Sequence, residues 1–239
     1  MAWEAALPQA GPRGYITDPS VINSSPLATV PARQRRKDAR PQELLDAALA
    51  LFVEKGFAAT RSEEIAARAG VAKGTLYRYF PSKDELFKVM VRDNLSVHIA
   101  ESAAQAAQYD GAIAELLTEM MRAWWAKVGH GNAGVVCKIM MVEARNFPEL
   151  ARFYVDEVIT PSKALIGSLI ERGIRTGEFR AVPVEATVHM LLAPMLHILL
   201  HEHSFGAHDC CNPGMAPEDL LEAQMALLLH GLLAGAPRT

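Results

Sequence analysis

The sequence predicts an all-α protein with a small N-terminal helix-turn-helix module and a larger C-terminal helical part. Three observations carry this. Apolar residues recur at helical spacing from Leu44 to Leu232, no stretch alternates with the two-residue period of a strand, and three short helical segments are crowded into about forty residues near the start.

Half of the 239 residues are apolar, enough for a substantial core. Three cysteines, two adjacent at Cys210 and Cys211, make no even-numbered disulfide framework, and nothing reads as a signal peptide. A reducing cytoplasm is the expected location. The longest apolar run, residues 188 to 200, is interrupted by His189, Pro194 and His197 and is shorter than a bilayer span, so no membrane partner is expected. The net charge of -3 conceals a division. Residues 33 to 83 hold eleven Lys and Arg against six Asp and Glu, a net +5 that leaves -8 for the remainder. A basic module facing a polyanion, joined to an acidic body with another task, is the simplest reading.

Residues 1 to 38, rich in Pro, Ala, Gly and Ser and closing on the basic run from Arg33, read as a flexible extension. The first helix is expected from about Pro41, with Leu44, Leu45, Ala48, Leu51 and Phe52 on one face. Gly56 ends it as a left-handed cap, and Phe57 folds back onto it. Thr60 and Glu63 form a capping-box pattern that opens a second helix through Ile65 and Ala69, and Gly70-Val71 turns the chain. A very short third helix follows to Phe80. Ser82 and Glu85 then launch a longer one through Leu86, Met90, Leu95 and Ile99. Further helices are expected at 112 to 128, 134 to 146, 148 to 158, 161 to 176, 184 to 203 and 217 to 234, separated by breaks bearing Gly or Pro.

The third helix, within AKGTLYRYFPSK (residues 72 to 83), has little that a core can use. Leu76 and Phe80 can look inward with Val71, while Lys73, Thr75, Tyr77, Arg78 and Tyr79 are left for the outside. Gly74 carries no Cβ and allows close approach of another backbone. Such a helix, second of a tightly turned pair, is built to lie in the major groove of DNA.

At residues 56 to 86, GFAATRSEEIAARAGVAKGTLYRYFPSKDEL, the chain resembles the DNA-binding domain of the tetracycline-repressor (TetR) family of transcriptional regulators, a likeness that extends over about 40 to 90. The glycine-aromatic break, the Thr60 position, Ile65-Ala66, Ala69-Gly70-Val71, Gly74-Thr75-Leu76-Tyr77, Phe80 and Ser82-Lys83 all fall at the family's spacing. The resemblance implies a helix-turn-helix domain at 39 to 86 and an effector-binding and dimerisation domain at 87 to 239. It further implies a homodimer that binds a palindromic double-stranded operator and leaves it when a small molecule of unknown identity binds. Carried over by position, Thr60, Arg61, Lys73, Gly74, Thr75, Tyr77, Arg78, Tyr79 and Lys83 are the expected DNA contacts. Ala72 stands where the family usually has a capping Ser, which removes about 1 kcal/mol of cap.

The resemblance also implies an effector pocket among the middle helices. Met120, Trp124, Met140, Met141 and Tyr154 are its expected apolar lining and Glu143 a polar anchor, with Arg145 as a second. Outer helices at 184 to 203 and 217 to 234 are expected to pair in the dimer through Leu191, Leu192, Met195, Leu199, Leu220, Met225, Leu228 and Leu232. His197, His201, His203, His208, Cys210 and Cys211 form the alternative, a metal-binding helical enzyme or sensor. That cluster lacks the two-residue spacer of a zinc knuckle, so no metal or other cofactor is expected. No HExxH, Gly-x-Ser-x-Gly or phosphate-cradling glycine loop is present, and no enzyme is expected.

Overall fold

The computed structural model describes residues 32 to 206 and 214 to 234, with side chains from residue 40 onward. The expected extension, the side chains of the basic run before Arg40, and His208, Cys210 and Cys211 lie outside the described residues. The described residues from Arg40 onward form one compact unit.

Helix α1 (Ala32–Lys55) starts earlier than Pro41, which lies inside it. Proline's fixed φ is helical, so it costs a hydrogen bond without enforcing a stop, and the Arg, Lys, Gln and Ala residues before it are good helix formers. Gly56, at φ +87°, closes α1 in the left-handed conformation and Phe57 folds back, 1% exposed, with its ring centroid 4.9 Å from that of Phe52. Helix α2 (Ser62–Arg68) and helix α3 (Lys73–Tyr79) cross through Gly70, at φ +66°.

The cap of α2 differs from expectation. The Arg61 N–H donates to the Glu64 carboxylate at 2.8 Å, one residue later than the Thr60–Glu63 pattern suggests. Thr60 is otherwise employed: its hydroxyl is buried and donates to Gly56 O at 2.8 Å, reaching Leu51 O at 3.3 Å. It serves the end of α1, where carbonyls lack helical partners. Ala72 caps α3 with no side-chain hydrogen bond, as its methyl dictates.

Ser82 accepts from the Glu85 N–H at 3.1 Å and opens α4 (Lys83–Val91). This helix passes through a π-helical turn at Arg92–Ser96 into α5 (Val97–Gln108) without a break. Helix α6 (Ile113–Trp124) begins where Glu178, from a distant loop, accepts the Ile113 and Ala114 N–H groups at 2.7 and 2.8 Å. After a π-helical turn at Trp125–Gly129 follows α7 (Asn132–Glu143).

Helix α8 (Pro148–Tyr154) runs through a third π-helical turn, Val155–Ile159, into α9 (Thr160–Thr176), where the sequence suggests two helices. Pro161 is the reason for both expectation and outcome. It cannot donate to Glu157 O, its helical partner four residues back, and that carbonyl instead accepts from the Ser96 hydroxyl at 3.3 Å. A side chain from α4–α5's connecting turn thus replaces the bond that proline removes.

Helices α10 (Val184–Ser204) and α11 (Pro217–Leu232) complete the bundle. By length and composition alone α10 suffices to cross a bilayer, unlike the shorter run read from sequence, yet its Leu191, Met195 and Leu199 are buried in the chain's own core. An isolated antiparallel bridge between Phe179 and Leu233 is the only strand-like pairing among the described residues. One apolar core runs from Leu44 to Leu232. Thr60→Val, which keeps shape and removes the donor, is expected to lower the unfolding free energy by about 1 kcal/mol in urea denaturation; no change would show that the hydroxyl does not secure α1.

Candidate nucleic-acid interface and effector cleft

Helix α3 is fixed from beneath. Leu76 and Ile65 are fully buried, Phe80 nearly so, and Val71 N–H donates back to Ala66 O at 2.9 Å. On the other side Lys73, Gly74, Tyr77 and Arg78 are exposed and Thr75 and Tyr79 half-buried, with Arg61 exposed beside them at the start of α2. Tyr77 keeps 41% of its surface in contact with solvent, a high value for an aromatic residue that has a core to join. An imagined Cβ at Gly74 meets no atom within 4 Å. Internal packing therefore gives no reason for glycine there, although it costs an exposed helix about 1 kcal/mol relative to alanine.

The charges of this face are partly paired. Lys73 forms an ion pair with Glu63, which raises the amine's pKa and lowers the carboxyl's. Its ammonium also lies 5.6 Å from the Tyr77 ring centre. Arg61 and Arg78 form no ion pair among the described residues.

Two of the expected contacts are committed inside the protein. Thr60 is buried as described above. Lys83 donates to Phe57 O at 2.7 Å, Thr60 O at 3.1 Å and Ala58 O at 3.3 Å, and its ammonium sits 4.4 Å from the Phe57 ring centre and 5.7 Å from that of Phe147. Desolvation pushes this amine's pKa down. An amine with three carbonyl acceptors has no donor left for a phosphate. Sequence reasoning had no signal for this, because the acceptors lie in the loop after α1, some 25 residues earlier.

Glu143 belongs to the same junction. Its carboxylate accepts from Ala58 N–H at 3.4 Å and from the Asn146 side chain at 3.0 Å. The Phe147 ring meets Phe57 edge-on at 4.9 Å. These contacts tie the end of α7 to the loop that precedes the recognition helices.

The other expected effector residues line neither of the two cavities described below. Met140 and Tyr154 are core, the latter's hydroxyl donating to Cys137 Sγ at 3.4 Å, and Met141 is 42% exposed. Met120 and Trp124 are half-buried and packed against the core, and Arg145 is exposed. Helical periodicity places such residues on a face and leaves open whether a neighbour fills the space opposite. Two cavities lie elsewhere. One of about 780 Å³ runs between α5 and α9, walled by Ile99, Ala100, Ala103, Leu165 and Leu169 with Arg172 at one end. Another of about 420 Å³ lies between α6 and α11, where Glu218 accepts from Trp125 Nε1 at 2.9 Å and approaches His130 Nε2 at 3.0 Å. Alanines at 100, 103, 106 and 107, one helical stripe, were the legible sign of the first.

The described histidines of the cluster, His197, His201 and His203, have separate partners. His197 and His201 stack loosely with ring centres 6.5 Å apart, whereas His203 Nε2 bonds Gly129 O at 2.9 Å. Among the described residues no three His, Cys, Asp or Glu groups converge as metal ligands.

Residues 44 to 90 match "Bacterial regulatory proteins, tetR family" and residues 103 to 209 match "Tetracyclin repressor-like, C-terminal domain". The HTH-type transcriptional repressor KstR2 of Rhodococcus jostii is 30% identical over 160 residues, covering 65% of this chain and 76% of the relative. The chain belongs to the TetR family. It is a ligand-responsive, DNA-binding transcriptional regulator, and the metal-enzyme alternative finds no support. Among solved structures, the transcriptional regulator FadR of Bacillus subtilis in complex with stearoyl-CoA superposes with a TM-score of 0.66 at 19% identity, covering 80% of this chain and 98% of that one. Thermus thermophilus FadR in complex with lauroyl-CoA gives 0.57 at 25% identity, covering 84% and 99%.

Two outcomes test this description of the TetR-family regulator's surfaces. Lys83→Met should lower the melting temperature yet leave the salt dependence of DNA binding unchanged, whereas Arg78→Gln should reduce that slope by about one, as loss of a phosphate contact does. A reduced slope for Lys83→Met would restore it to the DNA interface. Glu218 is held down from its ordinary 4.5 to about 2, chiefly by His130 and then by its own backbone and Trp125. A depressed carboxyl contributes stability that is present above 4.5 and lost as pH falls toward 2. The stability gap between the natural chain and Glu218→Gln should therefore narrow across that window in acid titrations followed by urea unfolding, and a constant gap would contradict the assignment.

Proposed function

We propose that the chain is a repressor that works in the cytoplasm as a homodimer, binds a palindromic operator through α3 and releases it when a small molecule binds within residues 87 to 239. Residues 39 to 86 form the reading module, and Arg61, Lys73, Gly74, Thr75, Tyr77, Arg78 and Tyr79 its contact face. The observation that carries this is the outer side of α3, with an exposed tyrosine, an exposed arginine that has no ion pair among the described residues, and a glycine that no internal contact requires. A phosphate or base edge brought against Gly74 meets no Cβ, and Tyr77 and Arg78 flank the approach. The FadR neighbours, bound to acyl-CoA thioesters, support an effector that includes an acyl chain.

The dimer rests on α10 and α11. The leucines expected to pair are in large part spent inward, since Leu191, Met195, Leu199, Met225 and Leu232 are core. The outward faces nevertheless stay apolar, with Met190 63% exposed and Leu227 78% exposed, and Ala193 and Pro194 open beside Met190. Only a third of α10's most apolar stretch is buried within the chain. A two-fold pairing of both helices covers that surface and sets the two α3 helices about 34 Å apart, one turn of DNA.

Gly74→Ala is the sharpest test. It should stabilise the chain by up to about 1 kcal/mol while weakening binding to DNA from upstream of its own gene in gel shifts. Tyr77→Ala should weaken binding without a change in fold. If both variants bind as tightly as the natural chain, α3 is not the reading helix. Leu227→Arg should convert a dimer to a monomer in sedimentation and abolish binding to a palindrome; a variant still dimeric would move the interface elsewhere.

A further inference from the structure

The cleft between α5 and α9 has two chemically different ends. At one, the π-helical turns of the two long helices face each other: Arg92 reaches Glu157 at 3.2 Å, Ser96 bonds Glu157 O, and Asp156 lines the opening. π-Helical turns are rare and recur at functional sites. At the other end stand Arg172 and Arg175. Fifteen residues of helix separate Glu157 from Arg172, about 20 Å at the helical rise. Between them the α5 wall is alanine beyond Ile99, and α9 faces it with Pro161, Ala164, Leu165, Ser168 and Leu169, so the cleft stays open where larger side chains on α5 would close it. Its 780 Å³ is within the range of small-molecule sites.

Arg172 is half engaged. Nη1 donates to Ala106 O at 2.9 Å, which anchors the guanidinium at the cleft, whereas Nη2 is buried with no hydrogen-bond partner among the described residues. A buried charged donor left unpaired is costly, and such groups are retained where a ligand completes them. A guanidinium offers paired donors that match the oxygens of a carboxylate or phosphate.

We propose that this cleft is the effector site and that it takes a linear amphiphile with one anionic head, the head on Arg172 and Arg175 and the tail along the alanine wall. The assignment rests on the reading of the chain as ligand-responsive. Asp156 and Glu157 repel an anion at the far end, so the site prefers an amphiphile charged at one end to one of equal length charged at both. The wall that the tail presses on, α5, is continuous with α4, whose first residue is Lys83 at the junction with the DNA-reading module. A ligand that fixes the spacing of α5 and α9 therefore acts on the element that positions α3. The head group is the carboxylate of a free fatty acid or the phosphate of an acyl nucleotide thioester.

Isothermal titration of the full chain with dodecanoate, dodecanedioate and lauroyl-CoA tests this, alongside gel shifts with the same compounds. Dodecanoate or lauroyl-CoA should bind, the tighter of the two identifying a carboxylate or phosphate head, and dodecanedioate should bind at least about tenfold more weakly than dodecanoate. Arg172→Gln should weaken the favoured ligand about tenfold or more, a loss of about 1.4 kcal/mol. Because Arg172 also holds Ala106 O, Arg175→Gln and Ala103→Leu serve as variants outside the core: the first should weaken binding and the second should block it, both with unchanged helicity. Binding by neither compound, binding unaltered in all three variants, or a dicarboxylate that binds as well as the monocarboxylate would overturn the proposal. If neither compound binds while another metabolite releases the operator, the site assignment falls and the repressor reading stands. If binding depends on Arg172 but operator affinity does not move, the cleft binds amphiphiles and its role as effector site falls.

Discussion

The loop from Gly56 to Thr60 is the place on which the DNA-reading half of the molecule depends. Phe57 fills the space between Phe52, Phe87 and Phe147, so one ring touches α1, α4 and the start of α8. Lys83 closes the other side by donating to three carbonyls of the loop while its charge rests on the same ring. A bare loop carbonyl buried without a donor is costly, and here a single ammonium serves three. Thr60 secures the end of α1 from within. Together with Ile65, Leu76 and Phe80, buried beneath α3, these contacts set the orientation of α2 and α3.

That junction also couples the module to the body. Glu143 and Phe147 reach it from the end of α7 and the start of α8, and Lys83 is the first residue of α4. The continuous helices α4–α5 and α8–α9 then run away side by side and meet again at their π-helical turns, where the Ser96 hydroxyl supplies the bond that Pro161 takes from Glu157 O. On the proposed reading, a change in the spacing of α5 and α9 would act through the continuous α4–α5 helix on the loop beneath α3. A two-state shift requires a ligand that favours one spacing over the other, and a cleft with a half-paired arginine at its end offers a place for that difference to arise.

The acidic remainder of the chain has a related logic. Several of its carboxylates are engaged in local tasks: Glu178 receives the free N–H groups of α6, Glu218 links Trp125 and His130, and Glu222 pairs with Arg122. The net negative charge of the body is thereby held at helix ends and between helices, while the cations of α3 and Arg61 face outward. Lys73 is the exception, shared with Glu63, so its contribution to DNA binding includes the loss of that pair.

Much of this was legible in the order of residues alone. The all-α class, the short loops around Gly56 and Gly70, the inward Leu76 and outward Tyr77 and Arg78, and the Ser82 cap are local matters, decided by helical periodicity, glycine's access to left-handed φ and the reach of a side chain to its own backbone. The family resemblance lay in those same local features. What local pattern leaves undecided is what lies opposite a side chain. Lys83 and Thr60 carry the spacing of contact residues, yet their partners are carbonyls brought near by the fold. Met140 and Tyr154 are buried in the core, while the alanines of α5 line the cleft toward α9. The two helices expected around Pro161 run on as one through a π-helical turn, where the Ser96 hydroxyl donates to Glu157 O. Sequence determined which segments are helical and which face of each is apolar; only the tertiary structure decided which faces meet, since burial and cavities depend on pairs of elements far apart in the chain.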